Sequence, residues 1–401
     1  MEEVETLIIG AGQAGLTMSH ALRKRGHPHL VLERGRVGER WRSERWDGMH
    51  FQTPNALVRL PDFPFVSDNP NGFATAAEIA DYLDAYATFI DAPVRRGVAV
   101  AAVRSGFVAE TSAGAIRAKH VVVATGPFQR PIVPPLLPET PGIVQMHARD
   151  YRSSDRLPDG AVLVVGAGAS GSQIAEELLR AGRRVYFSVG KHRRAPRRYR
   201  GQDHIWWWIE TGMDRTPPER RPADQAPLVH SGAYGGHTMD FRELARQCMV
   251  LLGRATGAQD GTMAFAPDLL ANLAHGDAAH LAFMDFVDAH IVATGQSFPA
   301  DPEARVISPT PDWLHEPILS LDLHAEGIGT VIWATGYTLD FGWIDLPVLD
   351  RRGMPIHRLG VTDVPGLHFL GLPFLSKMSS SFLFGVGDDA DRLGASIARP
   401  R

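Results

Sequence analysis

The chain has 401 residues, 44% hydrophobic and 21% charged, with a formal net charge of −4. That length exceeds what a single core sustains and predicts two domains, while the composition excludes disordered and membrane-spanning classes and the balanced charge excludes a general affinity for nucleic acid. The single cysteine, Cys248, excludes a disulfide framework, a paired-thiol redox centre and a multi-thiolate metal site, and points to a reducing, cytoplasmic setting.

The acidic opening MEEVETLIIGAG runs straight into a strand rather than a signal peptide. Val4 to Ile9 is a short apolar run of the kind buried on both faces. GAGQAG follows, then a segment with helical spacing up to Gly26, then the strand HLVLE: a βαβ opening. Thr75 and Glu78 stand at capping-box spacing ahead of Ile79, Leu83, Tyr86 and Ile90, which predicts an amphipathic helix. Short strands lead to HVVVATG, and the proline-rich PFQRPIVPPLLPETPG reads as a crossing between domains. The pattern then restarts with AVLVVGAGASG, a helix from Gln173 to Arg180 and the strand RVYFSV. DAHIVATGQ, from Asp288 to Gln296, mimics the ATG strands. Leu281, Met284, Val287 and Ile291 before and within it have helical spacing, so it reads as helix. TVIWATGY and GLHFLGLPFL are strand-like, and a glycine-opened helix closes the chain. The fold class expected is α/β, with two Rossmann-like dinucleotide-binding domains. One is discontinuous over 1–150 and 326–401, and the other is inserted over 151–325.

Gly10, Gly12 and Gly15 form GxGxxG between strand and helix. The first glycine makes the turn, the second lets a pyrophosphate approach the backbone, and the third lets helix pack on strand. Glu33 closes the next strand, where a carboxylate hydrogen-bonds ribose hydroxyls. Gly166, Gly168 and Gly171 repeat the motif around Ser170, but after RVYFSV no acid follows. Instead SVGKHRRAPRRYRG supplies Ser188, Lys191, Arg193 and Arg194, groups suited to a 2′-phosphate. The alternative is a solvated basic loop. Arg197, Arg198 and Arg200 either line a nicotinamide channel or face solvent. Two dinucleotide sites imply two cofactors exchanging electrons: FAD at the Glu33 site and NADPH at the basic one.

GAGQAGL, GERWRSERWDGMHFQTPN, ATGPFQRP, GAGASGSQIAEEL, IWATGY and VTDVPGLHFLGLP span essentially the whole chain. Through them it resembles the class B flavoprotein monooxygenases, the flavin-containing monooxygenase and Baeyer–Villiger group, especially their short bacterial relatives. The resemblance implies an FAD domain built from both chain ends around an NADPH domain, and a homodimer. It implies Arg40, Trp41, Arg42, Trp46 and Thr53 along the flavin, Thr125 and Gly126 at its ADP half, and Thr335 and Gly336 in the later ATG turn. Asn55 either hydrogen-bonds a peroxyflavin oxygen as a catalytic residue or forms a turn after Pro54. The family fingerprint FxGxxxHxxxY is degenerate here: Gly142, His147 and Tyr151 are present, Thr140 replaces the aromatic residue, and one residue is inserted.

The implied reaction reduces FAD with NADPH, adds dioxygen to form a 4a-hydroperoxyflavin, and transfers oxygen to a nucleophilic nitrogen or sulfur of a small molecule. A ketone substrate is disfavoured by Tyr151. A reductase or oxidase passing electrons to oxygen, a quinone or a partner protein is the alternative, and a flavin-bound redox sensor is the reading from another class. Pocket walls are expected from Trp206 to Trp208, from the Thr53 to Phe65 loop and from the Phe374 to Phe384 region. Tyr234, Gly235, Gly236 and His237 read as a lid or as a loop leading to a helix cap at Asp240.

Overall fold

The computed structural model describes residues 1–399. Two sheets organise the molecule. The first has seven strands: Val94–Arg96, His29–Glu33, Glu2–Ile9, Gly114–Val123, Val108–Thr111 and Val100–Arg104 in spatial order, with Leu367–Phe369 also paired to Gly114–Val123. Its parallel core holds Leu7, Ile8, Val31, Val121 and Val122 out of water on both faces, as the unbroken apolar runs require. The second sheet has five parallel strands in the order Val144–His147, Ile328–Trp333, Ala161–Val165, Val185–Ser188 and Val250–Leu252. This is the expected α/β class.

The expected boundaries shift. Val144–His147 and Ile328–Trp333 both belong to the second sheet, so the inserted unit begins before residue 150 and extends past residue 325. The physical reason is register: Val162 to Val165 pair with Thr330 to Trp333, and the buried run TVIW completes the second core, not the first. The prolines between Pro127 and Pro141 form the crossing into this unit, as their missing N–H groups suggested.

Local signals hold where they are strongest. Helix Ala76–Phe89 starts with the Thr75/Glu78 capping box, a feature worth about 1 kcal/mol. Ile79, Leu83 and Tyr86 on its apolar face are fully buried. Leu269–Thr294 is one long helix, and the ATG triplet inside it is its C-terminus, ended by Gly295 at φ +67°. The closing helix Val386–Ile397 packs on helix Gln13–Arg23 of the opening βαβ unit. Gly394 faces Ala21 in that contact, and a Cβ on it would lie 3.1 Å from the Ala21 Cβ, tighter than ordinary packing. Among the described residues no helix is long and apolar enough to cross a membrane.

Candidate active site

The two glycine turns are built alike. Gly10 N–H donates to the Leu32 carbonyl at 2.8 Å and Gly166 N–H to the Ser188 carbonyl at 3.1 Å. Both glycines have positive φ (+106° and +111°), and a side chain on either would collide with the carbonyl of Ala124 or Ala334 respectively. Beneath them, a Cβ at Gly15 would sit 1.8 Å from the Gly10 oxygen, and one at Gly171 would sit 1.9 Å from the Gly166 oxygen. These two glycines therefore serve close packing and do not line the cavity. A Cβ at Gly12 would meet nothing within 4 Å, so this glycine opens onto empty space. Gly12 and Gly168 are the N-caps of helices Gln13–Arg23 and Ala169–Arg180, and no side chain caps either helix. Their first-turn N–H groups are left for an anionic ligand, which is the arrangement a pyrophosphate needs.

Both turns open into one cavity of about 2020 Å³. Glu33, Thr125 and Gly126 line its first end. The Glu33 carboxylate accepts N–H bonds from Ala11 at 2.8 Å and Gly35 at 2.9 Å, and keeps lone pairs for a ribose diol. Arg40, Trp41, Trp46 and Thr53 also line the cavity. Arg40 is held by Glu44 at 2.8 Å and by the Phe128 carbonyl. Desolvation pulls its pKa below the ordinary arginine value, with Glu44 opposing. Trp46 belongs to the core of the second unit, so it bridges the two. Arg45, which sequence reasoning passed over, also faces the cavity and stacks on Trp41 at 5.2 Å and Phe128 at 5.5 Å. Its signal was its place between the singled-out Arg42 and Trp46.

Two of these expectations are corrected. Arg42 does not line the cavity, because its guanidinium turns to Asp81 at 2.9 Å on a neighbouring helix. Asn55 does not line it either. Its amide donates to Ser67 Oγ at 3.1 Å and to the Asn69 carbonyl at 2.9 Å, pinning the Ser67 to Gly72 loop. The turn reading of Asn55, not the catalytic one, fits this geometry.

Gly168, Ser170, Thr335 and Gly336 line the second end, with Ser188, Lys191, Arg193 and Arg194 beyond the strand end. The phosphate-cradle set needs correction at two positions. Ser188 Oγ donates to the Gly253 carbonyl at 2.9 Å and accepts the Ala255 N–H at 3.1 Å, so its hydroxyl is used within the fold. Arg194 is buried against Asp277, 2.9 Å from Nε to Oδ1, and Arg242 grips the same carboxylate at 2.7 Å. Lys191, loosely paired to Asp224 at 3.4 Å, and Arg193, bonded to the Ala226 carbonyl, keep donors at this end. Arg254, half paired to Asp268 at 3.7 Å, joins them. It follows the next strand of the sheet, a place the sequence marked only by adjacency in space.

Much of the remaining wall is apolar. Trp208 lines the cavity, whereas Trp207 is fully buried and Trp206 packs on Phe298, so one of the three tryptophans reaches the cavity as expected. Phe374, Met378 and Phe382 join it from the C-terminal region, with Trp208 and Phe382 centroids 6.1 Å apart. Of the Thr53 to Phe65 loop only Thr53 lines the cavity. Phe283 and Phe286 of the long helix also line it. They were missed because the helix was read by its other apolar face, and apolar residues on both faces were the signal. His204 and His230 lie 4.8 Å apart, both buried. Desolvation, aided by the nearby Arg197 charge, holds both well below the usual histidine pKa, so both are neutral.

The degenerate fingerprint is structural. His147 Nδ1 accepts the Arg149 N–H, so Nε2 carries the proton and donates to the Gly336 carbonyl at 3.1 Å. Tyr151 is fully buried and donates to Glu177 at 2.8 Å. His237 sits 3.2 Å from buried Glu176, away from the cavity, and Asp240 caps the following helix.

Known proteins fit this construction. The pyridine nucleotide-disulphide oxidoreductase family matches residues 7–219. The chain belongs to that family. An uncharacterised CzcO-like oxidoreductase of Geobacillus kaustophilus is 33% identical over 397 residues, covering 97% of each chain. The rice indole-3-pyruvate monooxygenase YUCCA1 is 32% identical over 188 residues, covering 44% of this chain and 45% of its own. The flavin-containing monooxygenase of Stenotrophomonas maltophilia superposes with a TM-score of 0.66 at 18% identity, over 99% of this chain and 98% of that one. The oxidoreductase thus has the flavin-containing monooxygenase fold. The disulphide chemistry in the family's description lacks a thiol pair here, and Cys248 is exposed and off the cavity.

Proposed function

We propose that this oxidoreductase is an FAD-dependent monooxygenase, reduced by NADPH, that oxygenates a nucleophilic nitrogen or sulfur of a small, largely apolar molecule. The carrying observation is that two uncapped, glycine-opened helices face one cavity, one beside a carboxylate and the other beside cations. Gly12 and Glu33 would hold the pyrophosphate and ribose of FAD. Gly168 and Ser170 would hold the pyrophosphate of NADPH, with Lys191, Arg193 and Arg254 at its 2′-phosphate. Bound FAD supplies hydride acceptance and the activation of dioxygen.

The protein's share is binding, orientation and dryness. Trp41 and the stacked Arg45 give a flat, cationic wall beside the first end. Trp208, Phe283 and Phe382 keep water from the middle, and the neutral His204 and His230 add no charge that would draw it in. The partial likeness to YUCCA1 supports the monooxygenase reading.

A reductase or oxidase is the second reading. The observation favouring it is that Asn55, the residue expected to hold activated oxygen, points into a loop. Stopped-flow absorbance separates the two. Protein reduced anaerobically by NADPH and mixed with oxygen should pass through a transient spectrum that is neither reduced nor oxidised flavin. Direct return to oxidised flavin with stoichiometric hydrogen peroxide would replace the monooxygenase reading by the second.

A further inference from the structure

The basic stretch holds one cation, Arg197, that is tied across the two units. Arg197 is 2% exposed. Its Nε and Nη2 both donate to the Asp203 carboxylate. Nη1 donates to the Gln52 carbonyl at 3.1 Å and to the Ser231 carbonyl at 3.4 Å, and the guanidinium lies 4.9 Å from the Phe73 ring centroid. Gln52 and Phe73 belong to the first unit, whereas Asp203 and Ser231 belong to the second. Asp203 also caps helix His204–Glu210, accepting the Ile205 N–H at 2.8 Å, and that helix carries Trp208 into the cavity. Gln52 and Thr53 line the cavity from the first unit. Beside this contact a Cβ on Gly232 would fall 1.9 Å from the Phe51 carbonyl oxygen, so the units meet there backbone to backbone.

We propose that Arg197 is a positioning residue. It clamps the Gln52–Thr53 wall of the first unit to the Trp208 helix of the second, and so fixes the separation at which the two cofactor ends of the cavity face each other. The reading rests on the two-cofactor assignment above. A guanidinium suits the task because its planar fork serves a carboxylate and two carbonyls at once, which an ammonium on a flexible stem does not. Hydride transfer is steep in donor–acceptor placement, and a displacement of about 1 Å costs about 100-fold in rate.

The test uses Arg197→Met, Arg197→Lys and Asp203→Asn in the full chain. Backbone hydrogen exchange is followed without added cofactor, and flavin reduction is followed in single turnover on the FAD-loaded protein. The clamp predicts faster exchange in two segments at once, around Gln52 and across His204–Glu210, in Arg197→Met and Arg197→Lys. It also predicts a limiting rate of reduction by NADPH lowered about 10- to 100-fold, with the NADPH dissociation constant and reduction by dithionite unchanged. Exchange that quickens only beside residue 197, or a wild-type limiting rate, overturns the proposal. Should Arg197→Met fail to fold, Arg197→Lys and Asp203→Asn decide by the same readings. A wild-type protein that NADPH does not reduce would sink the two-cofactor reading instead, while the exchange result still decides the clamp.

Discussion

Asp277 holds Arg194 at 2.9 Å with both side chains largely out of water, and this pair changes the meaning of the basic stretch. Four of its six Lys and Arg side chains meet a carboxylate: Lys191 at Asp224, Arg194 at Asp277, Arg197 at Asp203 and Arg200 at Asp288. Dense positive charge in a mildly acidic chain is thus chiefly an internal ion-pair lattice, and only part of it is left for a phosphate.

The first prediction separates the two uses. Arg194→Met leaves Asp277 to Arg242 alone and should destabilise the protein by about 1.5–3 kcal/mol in urea unfolding, with the preference for NADPH over NADH unchanged. Lys191→Ala combined with Arg254→Ala should leave stability nearly intact. It should raise the Michaelis constant for NADPH at least about tenfold more than for NADH, as expected for charge-assisted bonds of about 1.5–3 kcal/mol. A NADPH-selective defect in Arg194→Met would return that residue to the phosphate.

Gly12 and Gly15 should respond differently to alanine. Gly15→Ala forces a methyl to 1.8 Å from a carbonyl oxygen and should yield little folded protein. Gly12→Ala meets no protein atom, so circular dichroism and melting of the apoprotein should match wild type while FAD is no longer retained on gel filtration. Wild-type FAD content in Gly12→Ala would show that the cofactor's phosphates lie elsewhere.

His368 carries a pH prediction. Burial, then the neighbouring His120, pushes its pKa from 6.5 down to about 4. The unfolded chain therefore binds a proton there that the folded chain refuses, so stability rises with pH between about 4 and 6.5 and is lost as pH falls through that window. Urea unfolding should show a loss of about 2 kcal/mol from this site between pH 8 and pH 5. His368→Phe should remove that share of the slope, and a slope equal to wild type would show that the ring is not held neutral.

Asn55→Ala should cost about 1–2 kcal/mol of stability through the lost loop bonds. The oxygen reactivity of the reduced flavin should not change, as measured by peroxide yield per NADPH. A sharp rise in peroxide would restore a catalytic role to the amide.

Much of the fold was legible because its signals are local. Strand, glycine turn and helix lie within consecutive residues, as do the Thr75 capping box and the apolar face of Ile79, Leu83 and Tyr86. That Gly12, Glu33, Gly168 and Trp41 would share one cavity wall was legible for the same reason. Legibility failed where a side chain's partner is remote. Nothing near Arg194 in the sequence announces Asp277, and nothing near Asn55 announces that its amide will be spent on Ser67 and Asn69. The strand Ile328–Trp333 was recognised as a strand, but its sheet was misassigned, because an apolar run does not say which neighbour it will pair with.

That strand has a consequence for biosynthesis. It lies between Val144–His147 and Ala161–Val165, so these two strands are not joined in the second sheet until residue 333 has been made. A nascent chain emerging from the ribosome must carry the facing edges of those two strands unpaired until Ile328–Trp333 follows, the condition that invites aggregation and chaperone capture. A fragment that stops before Trp333 cannot complete the second sheet, and one that stops before Val386 also lacks the helix that packs on Gln13–Arg23.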